Sequence, residues 1–271
     1  DGRPLGGRRI LLHTEQGRGD TLQFVRYAPL VKAGGGYAVL ECQQGLGPLL
    51  QNCPGIDQIV EQGCPLPQFD LQLSLLSLPR IFKTTLATVP RDVPYLRADE
   101  SLAASWAGFL RNIGGFRVGI AWQGSKTYGG DENRSIPLRH FAPLADVDGV
   151  QLISLQKGQG TEQIAAVSFP LVALDNQLDV RHGAFMDTAA LMANLELVVT
   201  SDTAVAHLAG ALGIPVWLAL CFPADWRWLR DRDDSPWYPT MRLFRQTTDG
   251  DWADVIATAE RALRSGVKHE H

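Results

Sequence analysis

The chain has no Cys-x-x-Cys pair, no His-Glu-x-x-His string, no Walker A loop and no Ser-His-Asp spacing. Zinc-protease, P-loop and triad-hydrolase readings therefore lose their usual sequence support. Its four cysteines, Cys42, Cys53, Cys64 and Cys221, fit no metal-ligand spacing and read as reduced, mostly buried thiols of a cytoplasmic protein. No Lys/Arg run stands out and the net charge is -4, which argues against a nucleic-acid binder held by phosphate neutralisation. A local anionic ligand stays open. No apolar run approaches the roughly 18 residues of a spanning helix, and no leader pattern, tandem repeat or low-complexity tract is evident. The terminal Lys268-His-Glu-His271 reads as a frayed tail rather than a metal site.

What the chain does have is a regular strand–helix alternation, over 271 residues with 45% apolar content. That length supports one large domain or two modest ones. Arg8–Glu15, Tyr37–Cys42, Ile56–Val60 and Phe69–Leu73 read as strands, with a Gly-rich turn at Gln16–Gly19 and a helix from Asp20 that buries Leu22, Val25, Leu30 and Val31. The order implies a parallel sheet. The Pro-bearing stretch Val89–Leu96 interrupts regular structure, and a connecting helix is expected from Asp99 to about Asn112. After it, Arg117–Trp122, Val150–Leu155, Leu171–Leu174, Leu197–Thr200, Val216–Leu220 and Met241–Phe244 read as strands. Helices are expected near Ile136–Ala145, Glu162, Thr188 and Thr203, with Asp251–Arg264 closing the chain. The pattern predicts two doubly wound, Rossmann-like α/β lobes facing a cleft: residues 1–98 as the first, 99–115 as the connection and 116–271 as the second.

The segment Ser201-Asp-Thr-Ala-Val-Ala-His-Leu-Ala-Gly-Ala-Leu-Gly213 joins a buried strand to a small-residue helix. The turn ends in unpaired N–H groups at the positive end of a helix dipole, a natural place for phosphate. Asp202 or Thr203 could equally serve only as a helix cap. Asp20 follows a glycine turn at a strand's carboxyl end, and reads either as a cleft carboxylate or as an N-cap. Gln123, Gly124, Lys126 and Arg134 lie in a loop that can fold over phosphates or stay solvated. Lys157 could reach a phosphate, and Gln156 or Glu162 a ribose or base. His207, one turn after Thr203, reads as an anion-facing group or a structural histidine. Asp231-Arg-Asp-Asp234 reads as local salt bridges.

In their order along the chain, Glu15–Gln23, Val118–Gly124, Arg134–Pro137, Ile153–Gly158, Asp187–Leu191, Ser201–Gly213 and Asp233–Arg245 resemble the heptosyltransferase-like glycosyltransferases of family 9, particularly bacterial members fused behind tetratricopeptide repeats. The resemblance implies a GT-B fold and a nucleotide-diphosphate-sugar donor held mainly by the second lobe. It also implies a glycan or protein acceptor presented by the first lobe, with no metal or other cofactor. On it, Asp20 is the base, with Gly19, Thr21 and Gln23 on the acceptor side. Asp202, Thr203 and His207 match the donor motif, in which Ala204 replaces a usual glycine. The expected activity is metal-independent inverting transfer of a hexosyl or heptosyl group to a hydroxyl. The alternative is a catalytically silent nucleotide or nucleotide-sugar binding module beside a repeat array. An epimerase would release altered sugar without an acceptor, and a dehydrogenase is disfavoured because no Gly-x-Gly-x-x-Gly follows the first strand.

Overall fold

The computed structural model describes residues 2–174 and 177–267, so the Lys268–His271 tail lies outside the described residues. The first lobe runs β1 (Arg9–His13), α1 (Arg18–Phe24), α2 (Ala28–Ala33), β2 (Tyr37–Cys42), α3 (Gly47–Leu50), β3 (Gln58–Glu61), β4 (Leu71–Ser74) and α4 (Leu78–Ile81). Its four strands are parallel in the order β3-β2-β1-β4. A parallel strand covered on both faces reads as an unbroken apolar run, and Ile10, Leu11 and Leu12 are accordingly all buried.

Helix α5 (Glu100–Leu110) leads into the second lobe, and the Asp99 carboxylate caps it by accepting from Leu102 N at 2.8 Å. There follow β5 (Phe116–Ala121), α6 (Asp131–Arg134), α7 (Ala142–Ala145), β6 (Val150–Ser154), α8 (Met186–Met192), β7 (Leu197–Ser201), α9 (Ala204–Ala211), β8 (Val216–Leu220), β9 (Met241–Arg245) and α10 (Trp252–Val267). All five strands are parallel, in the order β6-β5-β7-β8-β9. The order reverses between β5 and β7, and a crevice opens beyond their carboxyl ends, where open α/β sheets bind ligands.

Three expectations are corrected. Leu171–Leu174 is not a strand, since only Val172 bridges to Ile153; four apolar residues are too few to distinguish a strand from a buried loop. The helix expected from Ile136 is a 3-10 turn at Leu138–Phe141 followed by one turn of α7, with Pro143 at its start. Leu30 is 40% exposed because α1 gives way to a 3-10 turn at Val25–Tyr27, which rotates the face of α2.

The lobes share a core. One buried cluster joins Leu12, Leu22 and Phe24 of the first lobe to Leu208, Trp228 and Tyr238 of the second. Helix α1 packs on α9, and a Cβ on Gly19 would lie 3.0 Å from His207 Cδ2 and 3.3 Å from Ala204 Cα. Glycine at 19 thus permits a close approach of the lobes, which brings the β1–α1 turn against the β7–α9 turn.

Candidate active site

A cavity of about 1370 Å³ runs between the lobes, large enough for a nucleotide sugar. Asp20, Gly19, Gln123, Gly124, Arg134, Gln156, Lys157, Asp202, Thr203, Ala204 and His207 all line it. Thr21, Gln23 and Lys126 do not. Thr21 is buried, donating from Oγ1 to Gln43 Oε1 at 2.8 Å, and Gln23 is fully buried, accepting from Arg227 Nε at 2.7 Å. Lys126 extends into solvent, its ammonium 3.8 Å from Glu162. Burial inside α1 and the outward course of the loop keep these three side chains out of the cavity lining.

Thr203 is the N-cap position of α9, with extended backbone and no side-chain cap bond. Its hydroxyl is buried and makes no hydrogen bond among the described residues, as is also true of Ser201 Oγ. An orphaned buried hydroxyl costs free energy unless a ligand completes it. Helix geometry leaves the Ala204 and Val205 amides of the first turn of α9 without an intrahelical partner, while Ala206 N donates to Thr203 O at 3.1 Å. Helix start and hydroxyl together make a cradle with the chemistry to hold an anion at the switch point.

Arg134 overhangs this cradle. It donates from Nη1 to Asp202 O at 2.8 Å and from Nε to Asp131 Oδ1 at 3.1 Å, and it stacks 4.4 Å over the Tyr128 ring. Gly124 lies beneath it: a Cβ there would strike Asp131 Oδ1 and come within 2.5 Å of Arg134 Nη2. Lys157 donates to Asp179 O at 2.6 Å. Gln156 lines the cavity but its amide is occupied. Its Oε1 accepts from Trp122 N and Gln123 N at 3.0 Å each, and its Nε2 donates to Gln123 O at 2.9 Å and Gln159 O at 2.7 Å. Those four bonds use both donors and both lone pairs, so Gln156 shapes the β5 loop rather than reading a base or ribose. Glu162 accepts from Gly160 N at 2.8 Å and is likewise engaged in its own loop.

His207 is buried, its Nδ1 2.9 Å from the Tyr238 hydroxyl and its ring stacked on Trp228. Burial holds it neutral, well below the usual histidine range, and the nearby Arg227, Arg26 and Arg134 act in the same direction. It offers the cleft a neutral imidazole.

The Asp202 carboxyl is pushed up to about 6 by burial and secondarily by Asp225, against the Trp228 indole hydrogen bond and the Arg134 and Arg227 charges. The indole Nε1 donates to Asp202 Oδ2 at 2.7 Å. A raised carboxyl binds its proton more tightly folded than unfolded, so this group subtracts stability as pH rises from 3.8 to about 6. Asp202→Asn keeps an acceptor for Trp228 and removes that loss. The Tm difference between variant and wild type should therefore grow in the variant's favour from pH 4 to pH 7. Parallel Tm–pH curves would contradict the assignment.

Asp20 sits in the first turn of α1, whose N-cap position is Gly17, so it is not the cap. Its Oδ1 accepts from Arg227 Nη2, and its Oδ2 makes no hydrogen bond among the described residues. The sequence reading missed Arg227, which also lines the cavity. It stands between Trp226 and Trp228 in a single 3-10 turn, too short for any periodicity to mark it. The Arg232–Asp234 pair, 2.6 Å apart, is a local salt bridge as expected. Among the described residues no group of three or more His, Cys, Asp or Glu side chains could hold a metal ion.

No protein-family model matches the chain. Protein FlbA of Caulobacter vibrioides is 27% identical over 285 residues, covering 97% of this chain and 47% of FlbA. The chain thus spans about half the length of this curated relative. Among solved structures, a glycosyl transferase family 9 protein from Veillonella parvula superposes with TM-score 0.70 at 10% identity, covering 99% of each chain. ADP-heptose lps heptosyltransferase II of E. coli gives 0.62 at 13% identity, covering 97% of this chain and 99% of that one. The iron-containing dodecameric glycosyltransferase TibC of enterotoxigenic E. coli gives 0.59 at 16% identity, covering 97% and 76%. The two parallel sheets, their strand orders and these superpositions establish that the chain has the GT-B fold.

Proposed function

We propose that the chain is a metal-independent inverting glycosyltransferase that moves a sugar from a nucleotide-diphosphate-sugar to an acceptor hydroxyl. One observation carries this reading: the start of α9, with Thr203 Oγ1 unpartnered, and the Asp20 carboxylate line the same cleft from opposite lobes. The acceptor oxygen attacks the anomeric carbon and its proton passes to Asp20 Oδ2. The anomeric C–O bond breaks, its electron pair leaving with the diphosphate. The charge that develops there is met by the α9 amides, the Thr203 hydroxyl, Arg134 and Lys157, all held in place before the reaction. That cationic and dipolar set is why we assign the leaving group to protein groups rather than to a metal.

The ADP-heptose in the name of the E. coli neighbour makes an ADP-linked sugar the first donor to try. Tetratricopeptide repeats, if they accompany this domain, would present the glycan or protein acceptor, and we place the reaction in the cytoplasm. No helix among the described residues is long and apolar enough to cross a membrane.

Thermal-shift titration with ADP-, GDP-, UDP- and dTDP-linked sugars should give a rise with one base, and that donor should release its nucleoside diphosphate in the presence of EDTA. A shift without turnover under any condition would favour the silent binding module. No shift with any nucleotide would remove both readings.

A further inference from the structure

Arg227 belongs to the β8–β9 loop of the second lobe, yet much of its guanidinium is spent on the first. Nη2 donates to Asp20 Oδ1 and Nε to Gln23 Oε1 at 2.7 Å, while Nη1 donates to Asp225 Oδ1 at 3.0 Å within its own loop. The cation lies near the Phe24 ring at 5.7 Å and the Trp226 ring at 5.2 Å, and its side chain is only 11% exposed. Its backbone is fixed as well. Arg227 N donates to Asp225 Oδ1 at 3.0 Å, and Arg227 O accepts from Trp237 Nε1 at 3.0 Å. A three-pronged, doubly anchored arginine is more constrained than a surface ion pair, and its planar fork suits carboxylate orientation.

We infer that Arg227 is the positioning residue of Asp20. By occupying Oδ1 it leaves Oδ2 as the oxygen that receives the acceptor proton, and because it reaches across the lobes, a correctly aimed base exists only while the lobes are in contact. Gln23, which the family resemblance put on the acceptor side, instead orients Arg227. The neighbouring groups do not offer a substitute: Arg18 on the same helix donates to Gln44 O at 3.1 Å, and His207 is neutral. This inference rests on the transfer reading above.

The test uses Arg227→Met, Arg227→Lys and Asp20→Asn in the full chain, each first checked for wild-type Tm and far-UV circular dichroism. Calorimetry measures ADP binding. Turnover is read as nucleoside diphosphate released to water from ADP-glucose, UDP-glucose, GDP-mannose and dTDP-glucose, water standing in for the acceptor hydroxyl. Arg227→Met should lower kcat about 10²-fold, the cost of a misaimed reacting group, with KM and the ADP Kd within about two-fold of wild type on the same argument that binding groups are untouched. Arg227→Lys should restore part of kcat, and Arg227→Met should cost little once Asp20→Asn is in place, since the two act as one unit.

If Arg227→Met keeps kcat within about two-fold of wild type while Asp20→Asn abolishes turnover, the positioning role is wrong and the proposed function stands. A parallel loss of ADP affinity and kcat would also overturn it, making Arg227 a diphosphate ligand. If Asp20→Asn itself leaves turnover intact, or none of the four donors turns over, the function falls and the inference with it.

Discussion

Asp20→Asn should reduce transfer by about 10²- to 10⁴-fold, the range that a positioned general base contributes, without weakening nucleotide binding. Asparagine is the informative replacement because it keeps the shape and an acceptor oxygen for Arg227 Nη2, while it cannot take a proton from the acceptor. Alanine would also release the arginine, leaving it to Asp225 and Gln23 and confounding base loss with a shifted loop. Asp20 lies on the first lobe, whereas Thr203, Arg134 and Lys157 belong to the second. A change at 20 therefore separates chemistry from donor binding. Steady-state release of nucleoside diphosphate gives kcat, and calorimetry with ADP gives affinity. Equal transfer by variant and wild type would sink the mechanism. A wild type that binds ADP but turns over no donor would make Asp20 a lobe-seam residue in a silent module.

The sheets and the start of α9 were readable in the sequence for a common reason. Parallel strands buried on both faces appear as short apolar runs, and Val39, Val118, Val198 and Leu218 are all fully buried in such runs. The α9 start was legible because its signal is local: a buried strand, a short polar turn, then small residues at helical spacing ending at Gly213. Side-chain direction was not local. Asp20 and Gln23, three apart on α1, share the face that meets Arg227, whereas Thr21 turns to Gln43. Nothing near residue 20 announces a partner 207 positions away. That Lys126 lies outside the cavity lining was not legible for a related reason, since a loop's composition does not say which way its lysine points. Gln156 was placed correctly at the cleft, but its four bonds to backbone groups belong to a loop closure visible only in three dimensions.

Arg26→Met should be the most destabilising single change considered, at about 3–5 kcal/mol, because it strips several buried acceptors at the lobe seam of their donor. The residue is 4% exposed and lies at the lobe seam. Its guanidinium donates to Trp237 O at 2.5 Å in the second lobe, and to Pro90 O at 2.9 Å, Gln23 O at 2.8 Å and the Tyr95 hydroxyl at 2.8 Å. It also sits over the Tyr238 ring at 4.4 Å and the Tyr95 ring at 4.6 Å. Methionine fills much of the space and donates nothing, so those oxygens lose their partner in a site where each unsatisfied group costs about 1–3 kcal/mol. Urea unfolding followed by tryptophan fluorescence should show a lower midpoint with an unchanged slope if the lobes still unfold together. A lower slope would mean that the seam has opened and the lobes unfold separately. Lys32→Ala supplies the contrast: Lys32 pairs with Asp57 at 2.6 Å but is 46% exposed, and its loss should cost no more than about 1 kcal/mol. Similar midpoints for the two variants would show that Arg26 does not bolt the lobes together.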